Sequence, residues 1–240
     1  MGVYSNTEIR NAISDGTIVC TPFNESHISE ASLDFTLGHY FYKQEERLES
    51  SKIYNPFDEK EVDRYFKGPL EAMPHAEWCK KNNQELFVNI PGDHPIIVLR
   101  PGERILAHTH EFIGIRAHGG ASSVSSRSSW GRNGVAICFD AGWIDPGYIN
   151  RITLEVYNLN MHESVVLPVG ERVGQLIFYK TGEVEGSYSH GRNGMSGKYQ
   201  GSDNLEEIIA NWRPNKMLPR AYKDQRATPP SINGLAEGIK

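Results

Sequence analysis

The sequence predicts an all-β fold built mainly from antiparallel strands. Three observations predict it: short runs in which apolar and polar residues alternate, Pro-Gly turns between those runs, and helical signals confined to the two ends and one charged segment. At 240 residues with 38% hydrophobic content the chain can bury one sizeable core, so a single domain with decorations is expected.

The first element is a short helix. "SNTEIRNAISDG" opens with a capping box, Ser5 with Glu8, and closes at Gly16. The period then changes to two. "ASLDFTLGHYFY" alternates around Leu33, Phe35 and Leu37 as a half-buried strand does, and "PIIVLR", "RILAHTH", "EFIGIRA", "RITLEVYN", "SVVLPV" and "GQLIFYK" continue the pattern. The turns "RPGE" (100–103), "DPGY" (145–148) and "PVGE" (168–171) supply Pro to fix φ and Gly to permit positive φ.

Two segments break this rhythm. Residues 43–67 carry 13 charges in 25 positions, and the stretch to about 84 has helical features, which reads as a surface insertion spanning about 43–93. After a Gly-rich run at 191–201, "DNLEEIIANW" predicts a capped helix, and the remainder to 240 is too polar and too rich in Pro and Gly to fold alone. Residues 203–240 are therefore expected to be a helix followed by an arm.

Charge and cysteine usage exclude several classes. A formal net charge of −5 argues against a nucleic-acid or anionic-membrane surface. Nowhere do 18 apolar residues run together. Cys20, Cys79 and Cys138 are odd in number and far apart, so no disulfide framework or Cys-x-x-Cys metal site is indicated and a reducing cytoplasm is the expected setting. His108 and His110 share a strand face as metal ligands could, but nine scattered His favour exposed imidazoles. Trp130 and Trp143 read as packing residues.

One carboxylate stands out. In "RITLEVYN", Ile152, Leu154 and Val156 share one face, which leaves Arg151, Thr153, Glu155 and Tyr157 on the other. A solvent-facing strand edge explains that face as well as a functional one does. The neighbouring "SSRSSWGR" concentrates hydroxyls and two guanidinium groups suited to oxyanions, and Asp145 lies in the adjoining loop, although a Ser-rich run by itself reads as a solvated loop.

Five runs decide between these readings: "SLDFTLG" (32–38), "SSWGRNG" (128–134), "AGWIDPGYINRITLE" (141–155), "GERVGQLIF" (170–178) and "GKYQG" (197–201). In order and spacing they resemble the dCTP deaminase branch of the dCTP deaminase and dUTPase superfamily, over about residues 3–42 and 94–202. The resemblance implies a distorted β-barrel or jelly-roll of the dUTPase-like type, a homotrimer with active sites between subunits, and Mg²⁺ carried on the nucleotide triphosphate. It implies Glu155 as the general base of a zinc-free deamination, with Ser128 and Arg132 holding water and charge from a neighbouring subunit. Zinc nucleobase deaminases need a Pro-Cys-x-x-Cys element that this chain lacks.

The same resemblance assigns Arg127 and Ser129 to the phosphates, Gln175 to the triphosphate-binding run, and Tyr188 and Lys198 to the closing tail. It puts Asp145 at the deoxyribose 3′-hydroxyl and Ala141 at the pyrimidine, and counts Thr153 among the nucleotide-binding residues. Asp140, Gly131 and Ser202 depart from the branch's common Thr, Ala and Gln. The expected reaction is hydrolysis of dCTP, or a 5-substituted dCTP, to dUTP and ammonia. Gly142, where some purely deaminating members carry a larger residue, leaves open a bifunctional enzyme that releases dUMP and diphosphate. A catalytically idle nucleotide-binding trimer is a further alternative.

Overall fold

The computed structural model describes residues 2–44, 53–191 and 197–224. The expected N-terminal helix is α1 (Asn6–Ser14), with both hydrogen bonds of the Ser5–Glu8 capping box formed. Fifteen strands follow among the described residues, all paired antiparallel, with few helices between them.

Four sheets organise the strands, and they do not close into one barrel. The first pairs β1 (Ile18–Thr21), β8 (Phe112–Ile115) and β12 (Ile149–Asn150). The second runs in the order β10 (Val135–Ile137), β13 (Thr153–Asn158), β7 (Arg104–His108), β3 (Tyr40–Gln44) and β4 (Phe66–Glu71). The third has β11 (Trp143–Ile144), β9 (Ala121–Ser126), β15 (Arg172–Tyr179) and β2 (Leu33–Thr36). The fourth has β14 (Val165–Pro168), β6 (Pro95–Leu99) and β5 (Met73–Pro74).

The core lies between these sheets, where Leu33, Phe35, Leu37, Ile113, Leu154, Val156, Leu176 and Phe178 are fully or almost fully buried. The three predicted turns each place Gly at positive φ, with Gly102 at 67°, Gly147 at 87° and Gly170 at 78°. Strand β13 alternates as expected, with Leu154, Val156 and Asn158 buried and Thr153, Glu155 and Tyr157 partly open.

Four expectations need correction. Strand β2 is buried on both faces, because Asp34 is paired with two arginines and Thr36 donates to Glu111 Oε1 at 2.7 Å. The Ser-rich run before Arg127 is strand β9 inside a sheet, because pairing with β15 and β11 satisfies its main chain. His108 is 1% exposed: its Nδ1 lies 2.8 Å from the Thr109 carbonyl, and its Nε2 accepts from the Tyr40 amide at 3.2 Å. Gly38 lets that imidazole approach, since any Cβ there would collide with it.

The fourth correction concerns the decorations. The insertion is more than surface: after α2 (Glu59–Tyr65), β4 joins the second sheet, and Val62 and Phe66 are buried against Tyr42, Leu106 and Met217. A further helix, α3 (His75–Asn82), precedes β6. Beyond the predicted C-terminal helix, α5 (Leu205–Asn211), the chain to residue 224 packs back on the strands through Trp212 and Met217. Polar composition did not prevent docking, because these two large apolar side chains find preformed apolar surface. The remaining arm, 225–240, lies outside the described residues.

Candidate active site

One cavity of about 450 Å³ brings several of the predicted residues together. Ala141, Asp145, Thr153, Glu155 and Tyr188 all line it. Glu155 and Thr153 reach it from the open face of β13, while Ala141 and Asp145 flank β11. The close approach of that segment to β9 requires Gly142, where a Cβ would meet the Val124 carbonyl oxygen at 2.7 Å. Tyr188 stands edge-on to Tyr148 with ring centroids 4.8 Å apart.

The electrostatics of Glu155 suit a base held away from bulk water. Burial pushes its carboxyl above the usual carboxylate range, while a main-chain hydrogen bond, the Cys138 thiol and Arg104 pull it back. Cys138 follows β10 with φ at 52°, which turns its Sγ toward the Thr153 carbonyl at 3.6 Å. Burial raises the Cys138 thiol strongly, so it is a neutral neighbour.

The remaining predicted residues lie elsewhere on this chain. Ser128, Ser129 and Arg132 are exposed on the one-turn helix α4 (Ser128–Arg132), which is anchored by Trp130 Nε1 donating to the Arg172 carbonyl at 3.0 Å. Arg132 borders a separate surface recess with Asn133, Asn160 and Glu163. Arg127 Nε sits 3.1 Å from Asp34, which Arg172 Nη1 also approaches at 3.3 Å. Gln175 faces Asp34 in register on β15 and accepts from Ser32 Oγ at 3.3 Å. Lys198 is paired with Asp224 at 2.7 Å. Residues 192–196 of the Gly-rich run lie outside the described residues.

Sequence reasoning missed much of the cavity wall. Phe66 comes from the insertion, Met217 and Pro219 from the C-terminal segment, Tyr199 from the "GKYQG" run, and Arg104 and Leu106 from β7. Trp143, expected to pack, is 60% exposed at this wall. The period-two pattern of "RILAH" puts Arg104 and Leu106 on one face, which was the one readable signal. Nothing in the sequence of the C-terminal segment indicates where it docks.

A family model described as dCTP deaminase-like matches residues 3–181. The chain belongs to the dCTP deaminase-like family. Its relatives include proteins named "dCTP deaminase, dUMP-forming" from Methanopyrus kandleri, 32% identical over 85% of this chain and 93% of that protein, and from Corynebacterium jeikeium, 32% identical over 83% of this chain and 92% of that protein. A crystal structure of 2′-deoxycytidine 5′-triphosphate deaminase from Agrobacterium tumefaciens superposes with a TM-score of 0.49 and 17% identity, covering 77% of this chain and 50% of that one.

Membership of the dCTP deaminase-like family makes this chain a hydrolase. It also corrects one expectation. A reaction ending at dUTP conflicts with relatives named for forming dUMP, so dUTP as the released product is withdrawn. No described helix is long and apolar enough to cross a membrane.

Proposed function

We propose that this protein converts dCTP to dUMP, diphosphate and ammonia, consuming two water molecules. The observation that carries this reading is the match to relatives named "dCTP deaminase, dUMP-forming" over more than four fifths of the chain. The geometry supports it: one cavity is lined by a half-buried carboxylate, Glu155, and a second, more exposed one, Asp145.

In the deamination step Glu155 takes a proton from water as the oxygen attacks C4 of cytosine. The proton passes to N3, and a second proton transfer to the exocyclic nitrogen lets ammonia leave. In the second step water attacks the α-phosphorus and diphosphate leaves, with Asp145 placed beside the deoxyribose to orient that water. Ala141 and Thr153 bound the pyrimidine, Tyr188 and Lys198 belong to the closing tail, and Arg127, Ser129 and Gln175 serve the phosphates. Ser128 and Arg132 complete the base site from a neighbouring copy in a homotrimer. Their exposure on α4, away from the Glu155 cavity of their own chain, supports that assignment.

Magnesium enters as part of the substrate, on the triphosphate. Among the described residues no three His, Cys, Asp or Glu side chains converge as a cage. The catalytic domain is taken as 1–202, with the C-terminal segment as an added wall. Free cysteines at 20, 79 and 138 support a cytoplasmic setting.

Anion-exchange analysis after incubation with dCTP and Mg²⁺ tests the reading. Equimolar dUMP and diphosphate, with ammonia, are expected, and the yield should survive phenanthroline but fall with EDTA. Accumulation of dUTP, or no turnover of dCTP, would overturn it.

A further inference from the structure

We propose that Arg104 is a positioning residue whose charge, set diagonally across the sheet from Glu155, keeps that carboxylate available as a base in the candidate active site. This inference rests on the reading of Glu155 as the base. Strands β7 and β13 pair with Glu155 opposite Leu106 and Tyr157 opposite Arg104. Paired residues share a face, so Arg104 lies diagonally across from Glu155 on the side that opens into the cavity, and both side chains line it.

Arg104 is itself held in place. Its Nη1 donates to the Tyr157 hydroxyl at 3.3 Å, and its guanidinium carbon lies 5.7 Å from the centre of the Tyr157 ring. With the Gln44 amide turned so that its carbonyl faces inward, that oxygen accepts from Arg104 Nε at 2.7 Å and from the Tyr65 hydroxyl at 3.1 Å. Among the described residues these hydrogen-bond partners are neutral. Arg104 therefore lines the cavity with a charge that no described carboxylate pairs with.

The groups facing Glu155 make this charge matter. The Cys138 thiol beyond β10 is neutral, and Tyr148, Tyr188 and Tyr199 across the cavity are phenols, with Tyr148 and Tyr188 pushed above the ordinary phenol range by burial. Asp145 is the other carboxylate of the cavity wall. Among the described residues Arg104 is the cation lining the cavity, and in the proposed trimer the neighbouring copy's Arg132 would be another. A protonated Glu155 cannot accept a proton from water, so the charge on Arg104, acting against burial, helps set the lower edge of the working pH range.

Burial has already raised the Glu155 carboxyl, and removing the positive charge raises it further, so the acid limb of kcat/KM moves to higher pH. Two unit charges at the diagonal spacing of a sheet, about 7 Å, with an effective dielectric of about 20, set an upper bound of about 1.7 pH units, and solvent screening in the open cavity brings the expected shift to about one unit. Below the limb this is about a tenfold loss of kcat/KM.

The test compares wild type, Arg104→Gln and Arg104→Lys by two readouts. In the first, ¹³C-carboxyl NMR titration of Glu155 in the nucleotide-free protein should show the Gln variant titrating about one unit higher, with the Lys variant close to wild type. In the second, the acid limb of kcat/KM for dCTP should move by the same amount in the Gln variant, with KM little changed. Should Arg104→Gln fail to fold, Arg104→Met, which keeps a long stem without charge, carries the same expectation. An unmoved Glu155 titration overturns the inference, as does a rise in KM with the limb in place, which would make Arg104 a substrate contact. Wild type that titrates as expected yet leaves dCTP untouched would instead sink the proposed function.

Discussion

Replacing Trp212 by Ala should detach the C-terminal segment from the strands without unfolding them. Trp212 is 8% exposed and packs with Val19, Phe112, Ile149 and Ile208. Its ring lies 4.8 Å from that of His108 and under the Arg151 guanidinium, whose carbon is 4.7 Å from the ring centre. Truncating a buried Trp costs about 3–5 kcal/mol, of which the cation–π contact and the ring contact supply about 1 kcal/mol each. A loss of about 4 kcal/mol raises the opening equilibrium of the segment roughly a thousandfold. Hydrogen exchange followed by mass spectrometry should then show amides of α5 exchanging faster by two to three orders of magnitude, while β7 and β13 keep their protection. Because Met217 and Pro219 would leave the cavity wall with the segment, KM for nucleotide should rise too. Unchanged protection of α5 would refute the reasoning, and equal loss across the strands would show that Trp212 supports the core instead.

Stability should fall with acid because of His108. Its folded-state value is pushed down to about 4 from an ordinary 6.5, chiefly by burial, so the unfolded chain binds the extra proton first and stability drops as pH falls from about 6.5 to 4. That window is worth about 3 kcal/mol, and denaturant titrations at pH 7 and pH 4.5 should differ by most of it, with the difference reduced in His108→Gln. Glu155→Gln should cut deamination by at least 100-fold while leaving triphosphate affinity nearly intact, because the amide keeps the shape but accepts no proton; equilibrium binding beside single-turnover rates separates the two, and retained turnover would remove Glu155 as the base. Mixing Arg132→Ala with Glu155→Gln subunits should restore partial activity through hybrid trimers verified by native mass spectrometry. Verified hybrids without turnover would place both residues in one chain's site.

Much of the architecture was legible because it depends on short-range rules. The Ser5–Glu8 capping box and the positive-φ glycines at 102, 147 and 170 are dictated by local hydrogen bonding and sterics, and the open face of β13 by the two-residue period of a strand. The family resemblance then pointed to Glu155, Asp145, Ala141, Thr153 and Tyr188, five residues that one cavity gathers. What the sequence could not reveal depends on partners distant along the chain. Asp34 is buried within an apparently half-polar strand because Arg127 and Arg172 meet it there. The serines of β9 sit in a sheet because strands on both sides satisfy their main chain. Met217 and Pro219 wall the cavity because Trp212 finds a slot between His108 and Arg151. Local pattern thus determined which residues form strands and turns and which face Glu155 occupies. Tertiary structure alone decided which charges and apolar groups surround that carboxylate, since burial and electrostatic pairing are sums over neighbours that no short window of sequence contains.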